Sequence, residues 1–264
     1  MQIGLCANSA TLAQLAAPAA VPGCDFLEGF VQEWFQPETA DAAHASPAPA
    51  LRERGFALPA ANRFLPADLK VSGPNVDYAR LDRFAATAFR RAKAMGTTLI
   101  VFGSAGARQV PEGFSMTTAF EQYVDVLRQC GPLAEENGVT LLVEPLNRGE
   151  CNLVNTVLEG AEAVRRANTN GVKLLVDFFH MARNGESPDD VVKVGPLIRH
   201  AHTAENRDRA APGTHGENFR PYFRALHRTG YHDRLTIEAD WKDFPAEAGP
   251  ALSALRRQLT DAGY

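Results

Sequence analysis

Residues 139–145 read VTLLVEP, an apolar run that stops on Glu144 and is closed by a proline. A short continuous run of this kind suits a strand covered on both faces, as in a parallel sheet, and the carboxylate then emerges at the strand's C-terminal end. Three later stretches repeat the pattern. Residues 172–178 (VKLLVDF) reach Asp177, residues 197–203 (LIRHAHT) carry His202, and residues 234–239 (RLTIEA) reach Glu238. These four polar positions lie 33, 25 and 36 residues apart, each interval long enough for a loop, a helix and the next strand.

Outward from these segments the same rhythm places strands at QIGLCA (2–7), CDFLEGFV (24–31), FALPAA (56–61) and TTLIVFG (97–103), making eight in all. Spread over 264 residues, eight units average 33 residues each. The pattern predicts an α/β fold, a single (β/α)8 TIM barrel occupying residues 1–264 as one domain. Helices are expected between the strands. Asp77 caps one whose apolar face is Leu81, Phe84, Ala88, Phe89, Ala92 and Met95 and which Gly96 ends. Others run from Ser115–Thr118 to Asn137-Gly138, from the Thr156/Glu159 capping box to near Gly171, from Ser187-Pro188, and from about Ala246 to Gly263. The Ala- and Pro-rich residues 36–50 read as a loop with a weak helix.

A net charge of −4 and the lack of Lys/Arg clusters supply no face for a phosphate backbone, so nucleic acid is not expected as a partner. Cys6, Cys24, Cys130 and Cys151 are scattered without a CxxC pair and read as reduced thiols of a cytoplasmic protein. No stretch approaches ~18 uninterrupted apolar residues, so neither a membrane span nor a secretion signal is expected.

Three carboxylates and one imidazole at matching strand ends would meet on one rim of the barrel. Any one of them alone reads equally well as a strand-end group bonded to a neighbouring loop. Burying three carboxylates together without a cation is costly, however, and the set therefore points to a metal site formed by Glu144, Asp177, His202 and Glu238. Oxygen ligands with a single imidazole favour Mg²⁺, Mn²⁺ or Co²⁺ over a thiolate zinc site. An octahedral ion so held keeps two positions for a substrate with neighbouring oxygens.

The segments LLVEPLNRGECNLVNT, LLVDFFHM, HAHTAEN with its following Pro212-Gly213, and TIEADW resemble, in this order, the sugar isomerase/epimerase branch of the xylose isomerase-like barrels, the group of D-tagatose and D-psicose 3-epimerases. The resemblance covers residues 96–241 best. It implies that Glu144 and Glu238 are both metal ligands and the catalytic acid/base pair, with Asp177 and His202 completing the ligand set. It implies one divalent ion, Mn²⁺ foremost with Mg²⁺ or Co²⁺ as alternatives, and a small carbohydrate as substrate. His180 matches a substrate-contacting histidine, and Glu150 of the EPLNRGE segment joins the substrate-binding set. A further arginine contact is implied before Pro212-Gly213. Counting back from that turn selects Arg209, while Arg207 stays open. Such barrels often pair, so a homodimer or homotetramer is compatible.

The loop GSAGARQVPEGF (103–114) also resembles a family segment at the barrel mouth. There Gly103, Ser104 and Gly106 would let backbone approach a ligand and Arg108 would touch a substrate oxygen. Glu28 and Asn62 could face the cavity, with structural hydrogen bonding the preferred reading, and His200 reads as a partner lying behind the metal ligands. Trp34, Phe64, Phe102, Phe114 and Trp241 could wall a sugar pocket, although packing is the commoner use of such residues. His215 reads as a lid or solvent residue. The expected activity is epimerisation or isomerisation of a ketose or keto-sugar through a cis-enediolate. The rivals are a lyase or dehydratase on a 3-keto-glycoside or inosose, a DNA-repair endonuclease on the same barrel, which the acidic charge balance disfavours, and a catalytically silent sugar-binding or partner subunit.

Overall fold

Eight strands close in chain order into an all-parallel barrel: β1 (Gln2–Cys6), β2 (Phe26–Phe30), β3 (Ala60–Asn62), β4 (Leu99–Phe102), β5 (Thr140–Val143), β6 (Val172–Asp177), β7 (Ile198–Thr203) and β8 (Arg234–Ile237), the last pairing back onto β1. The structure is a computed structural model that describes residues 1–14 and 21–264. The (β/α)8 TIM barrel expected from the strand rhythm is the fold observed. One strand lies elsewhere than expected: β3 covers residues 60–62 instead of 56–61. Pro59 has no N–H to give a ladder, and its carbonyl instead accepts the N–H groups of Thr98 and Leu99 at 2.9 and 3.0 Å.

The helices begin where side chains can cap them. Asp77 accepts the Arg80 N–H at 2.9 Å ahead of helix Tyr78–Met95, which ends on a left-handed Gly96. Leu81, Phe84, Phe89 and Met95 on its inner face are buried, each contributing about 1.5–3 kcal/mol. Helix Met116–Glu136 starts behind Ser115, and Thr156 with Glu159 forms a full capping box ahead of Val157–Ala167. That last helix stops at a left-handed Asn168 and not near Gly171. Residues 36–50 contain a 3₁₀ turn at Asp41–Ala43 and the start of a short helix, Ala48–Glu53. Among the described residues no helix is long and apolar enough to cross a membrane.

Strand alternation sorts the side chains. Ile100, Phe102, Leu141, Val143, Leu174, Val176, Leu235 and Ile237 join the apolar layer between barrel and helices, whereas Ala60, Leu99, Val101, Leu142 and Leu175 form a separate plug inside the barrel. Other inward-facing positions, Asn62, Glu144, Asp177, His202 and Glu238, fall above that plug at the C-terminal end of the barrel, while Glu28 is in register with Ala60. Between β6 and β7 the register slips by one residue: Leu174 pairs with Ile198, but Leu175 with His200 and Asp177 with His202. Arg199 is the extra residue and is exposed. The slip places Asp177 level with His202 and turns both histidines of β7 into the barrel.

Candidate active site

Asp177, the last residue of β6, has a divided carboxylate. Its Oδ1 accepts the Phe179 N–H at 2.8 Å, capping the short helix Phe178–Asn184, and its Oδ2 is left buried without a partner. Glu144 follows β5 and lies against Gly103, where an added Cβ would sit 2.1 Å from Glu144 Oε2. Gly103 is therefore small because the carboxylate occupies the space, rather than to admit a ligand to the backbone. Glu238 follows β8, its Oε1 accepting from Asn62 Nδ2 at 2.8 Å and its Oε2 from Arg209 Nη2 at 2.5 Å.

His202 faces the same point with Nδ1, 3.3 Å from Glu144 Oε1 and 3.4 Å from Glu238 Oε2. Its Nε2 lies 2.9 Å from Glu28 Oε1. Glu28 is fully buried and also meets His200 Nε2 at 2.8 Å and the Thr236 hydroxyl at 2.7 Å. A buried carboxylate behind Nε2 fixes the proton there and leaves the Nδ1 lone pair for a cation. One ligand atom from each of Glu144, Asp177, His202 and Glu238 fits within 4.8 Å of the others. Bonds of about 2.1 Å to an octahedral ion would place neighbouring ligands ~3 Å and opposite ligands ~4.2 Å apart, so a small contraction about an ion suffices. Glu144 Oε1, Asp177 Oδ2 and His202 Nδ1 have no hydrogen-bond partner, as expected of atoms arranged for an ion.

The charges agree. Burial pushes the Asp177 carboxyl up to about 7, with Arg209 opposing and Glu144 reinforcing. Burial, with Glu238 nearby, also raises Glu144 against the pull of His202. Burial would raise Glu238 too, but Arg209 and His202 hold it at about 2. His202 is desolvated, yet Glu28, Glu144 and Glu238 together keep its ring protonated well above the usual range. In the apo protein the positive charge these carboxylates demand thus comes from Arg209 and from a proton on His202, which a cation would displace.

His180 is neutral, pushed down to about 3 by burial and by Arg209. The Asn147 backbone N–H donates to its Nδ1 at 3.2 Å, so the ring proton resides on Nε2, which is buried, unpartnered and 3.6 Å from Asp177 Oδ2. Asn147 Nδ2 also donates to Glu150 Oε1 at 2.8 Å, orienting that carboxylate 3.5 Å from Arg209 Nη1. Arg209 spans the rim, its guanidinium 4.6 Å from the centre of the Phe179 ring. Arg207, by contrast, points to solvent and pairs with Asp208 at 3.6 Å. Of the two arginines, only Arg209 is brought to the cavity.

The cavity above these residues has a volume of about 360 Å³ and is bordered by Glu144, Glu150, His180, Arg209 and Glu238. A second lobe of about 280 Å³ opens beyond Arg209 and Glu238, with Trp241 in its wall. Arg108 is not at its surface. It is fully buried, and its Nη atoms donate to the carbonyls of Phe102, Gly103, Glu144, Leu153 and Val154 at 2.6–3.2 Å. The expected contact between Arg108 and a substrate oxygen is therefore corrected: this side chain clamps the ends of β4 and β5. Trp34, Phe64 and Phe102 are core packing, Trp34 filling the space beside Gly29. His215 pairs with Asp208 at 3.5 Å. The tautomer-setting roles of Glu28 and Asn147 escaped the sequence, since Glu28 meets His202 across the barrel and Asn147 meets His180 between the segments that follow β5 and β6.

A rim of this composition, on a closed parallel barrel, belongs to a recognisable class. The profile of the xylose isomerase-like TIM barrel matches residues 16–258, and the chain belongs to that family. Over 91 residues it is 36% identical to a D-psicose 3-epimerase of Agrobacterium fabrum, covering 34% of this chain and 31% of that one. Over 140 residues it is 34% identical to an L-ribulose 3-epimerase of Mesorhizobium japonicum, covering 50% and 45%. The chain thus aligns with less than half the length of these relatives. The crystal structure of D-psicose 3-epimerase with D-tagatose from Clostridium cellulolyticum superposes with a TM-score of 0.84 at 22% identity, over 98% of this chain and 99% of that chain, and shares its fold.

Proposed function

We propose that this protein is a divalent-metal-dependent epimerase or isomerase of a ketose or keto-sugar, working by proton abstraction beside a carbonyl through a cis-enediolate. The observation that carries the reading is the convergence of Glu144, Asp177, His202 and Glu238, with buried unpartnered atoms turned to one point beneath a cavity of sugar size. Similarity to ketose 3-epimerases supports it. Mn²⁺ is the expected ion, with Mg²⁺ or Co²⁺ as alternatives. When bound, it would polarise the substrate carbonyl and acidify the neighbouring C–H.

The protein's own groups then have defined parts. Glu144 and Glu238 are the two carboxylates beside the reacting carbon; one takes the α-proton and the other returns a proton from across the site. His180, neutral with its proton on Nε2, donates to a substrate oxygen and does not compete as a base. Glu150 and Arg209 border the same cavity and orient hydroxyls. Arg209 additionally holds Glu238 in its ionised form. All four cysteines are free, which supports a reducing, cytoplasmic setting.

The decisive experiment follows α-proton exchange of ketoses in D₂O by NMR with Mn²⁺-loaded protein. Exchange should stop after exhaustive chelation and in both Glu144→Gln and Glu238→Gln, while their circular dichroism is retained. Exchange persisting in both variants would remove the base assignment, and exchange indifferent to chelation would remove the metal.

A further inference from the structure

Arg63 follows Asn62 at the end of β3 and takes a left-handed backbone conformation (φ 54°) that a non-glycine residue adopts only at a cost. Two contacts hold it there. Gln32 Nε2 donates to its carbonyl at 2.8 Å, and its guanidinium lies over the Phe30 ring, 4.2 Å from the ring centre. From this seat Arg63 lines both lobes of the cavity. Its guanidinium makes no hydrogen bond or ion pair among the described residues, although carboxylates border both lobes, whereas Arg209 is committed to Glu238 and Glu150. Stacking on an aromatic face fixes the plane of a guanidinium and leaves its N–H edges free to bind an oxyanion bidentately.

We infer that Arg63 is a specificity residue that receives an anionic group, a phosphate or a carboxylate, carried by the substrate away from its reacting carbonyl. The inference rests on the sugar epimerase reading and adds the substrate class to it: a keto-sugar phosphate or a keto-sugar acid, instead of a neutral ketose. A charge-assisted pair of this kind distinguishes an anionic from a neutral ligand by about tenfold or more.

The test compares D-fructose, D-fructose 6-phosphate and D-fructuronate with Mn²⁺-loaded wild type, Arg63→Gln and Arg63→Lys, measuring kcat/KM from α-proton exchange and, separately, affinity by calorimetry. In wild type one anionic ketose should exceed the neutral one at least about tenfold. Preference for the phosphate identifies a phosphorylated substrate, and preference for the uronate a sugar acid. Arg63→Gln should collapse the ratio, and Arg63→Lys should recover part of it. Equal handling of neutral and anionic ketoses by wild type, or an unchanged ratio in Arg63→Gln, would overturn the inference. Should no ketose exchange at all, the epimerase reading falls. Calorimetry still decides Arg63, since anion binding weakened in Arg63→Gln supports the role and anion binding unchanged removes it.

Discussion

Glu28 shows how one residue can govern a site it does not line. Its carboxylate receives His200, His202 and Thr236 together, and it is held ionised, well below the usual carboxylate range, because the two histidines outweigh the effect of burial. Glu28→Gln keeps the size but replaces one acceptor with a donor, so His202 loses the anion that fixes its tautomer. Metal affinity, followed by calorimetric titration of Mn²⁺, should fall about 10–100-fold. A change of less than twofold would mean that His202 is oriented by other contacts. At this scale the sequence showed the four rim residues because each interrupts or ends an apolar run. Glu28 interrupts one just as visibly, but its role lies in facing β7 and β8 across the barrel, and strand order along the chain does not record which side chains meet inside. His180 was legible as a site residue, yet its donor role was not, because the Asn147 N–H that sets it lies 33 residues away.

Between elements, Arg108 is the clearest case of a residue misread from its local context. In GSAGARQV it looks like a loop arginine among glycines, free to reach outward. The four-residue helix Ala105–Arg108, which opens on a left-handed Ser104, turns it inward, and five carbonyls from the ends of β4 and β5 and from residues 153–154 accept from it. Arg108→Met leaves buried carbonyls short of a donor and should destabilise the fold by about 3 kcal/mol or more, read from the chemical denaturation midpoint. A substrate-binding arginine would instead raise KM with stability unchanged. The elements themselves were largely legible, since strands covered on both faces show as uninterrupted apolar runs and the helix starts carry their caps. The errors fall where backbone chemistry overrides the pattern: at Pro59, which shortens β3, and at Asn168, whose left-handed turn ends its helix before Gly171.

Across the whole molecule, the barrel packs the carboxylates of Glu144, Asp177 and Glu238 at one end, with buried Glu28 behind them, and Glu144 and Asp177 have raised proton affinity. A cation that binds only the folded chain stabilises it by about 2.7 kcal/mol at a hundred times its dissociation constant. For a chain of this length that corresponds to a rise in melting temperature of roughly 5–10 °C. Scanning calorimetry with Mn²⁺ and with excess chelator should show this difference, and Asp177→Asn should reduce it; coincident melting curves would argue against a site built for an ion. The one-residue slip between β6 and β7 has a bearing on how this family of sequences can change. Because Arg199 is the unpaired residue of the slip, removing it would leave Leu174 opposite Ile198, Leu175 opposite His200 and Asp177 opposite His202, in an unbroken ladder. A one-residue gap at position 199 in a related chain is therefore compatible with the same ligand set, whereas a gap between Leu175 and Asp177 or between His200 and His202 would shift one ligand past the other.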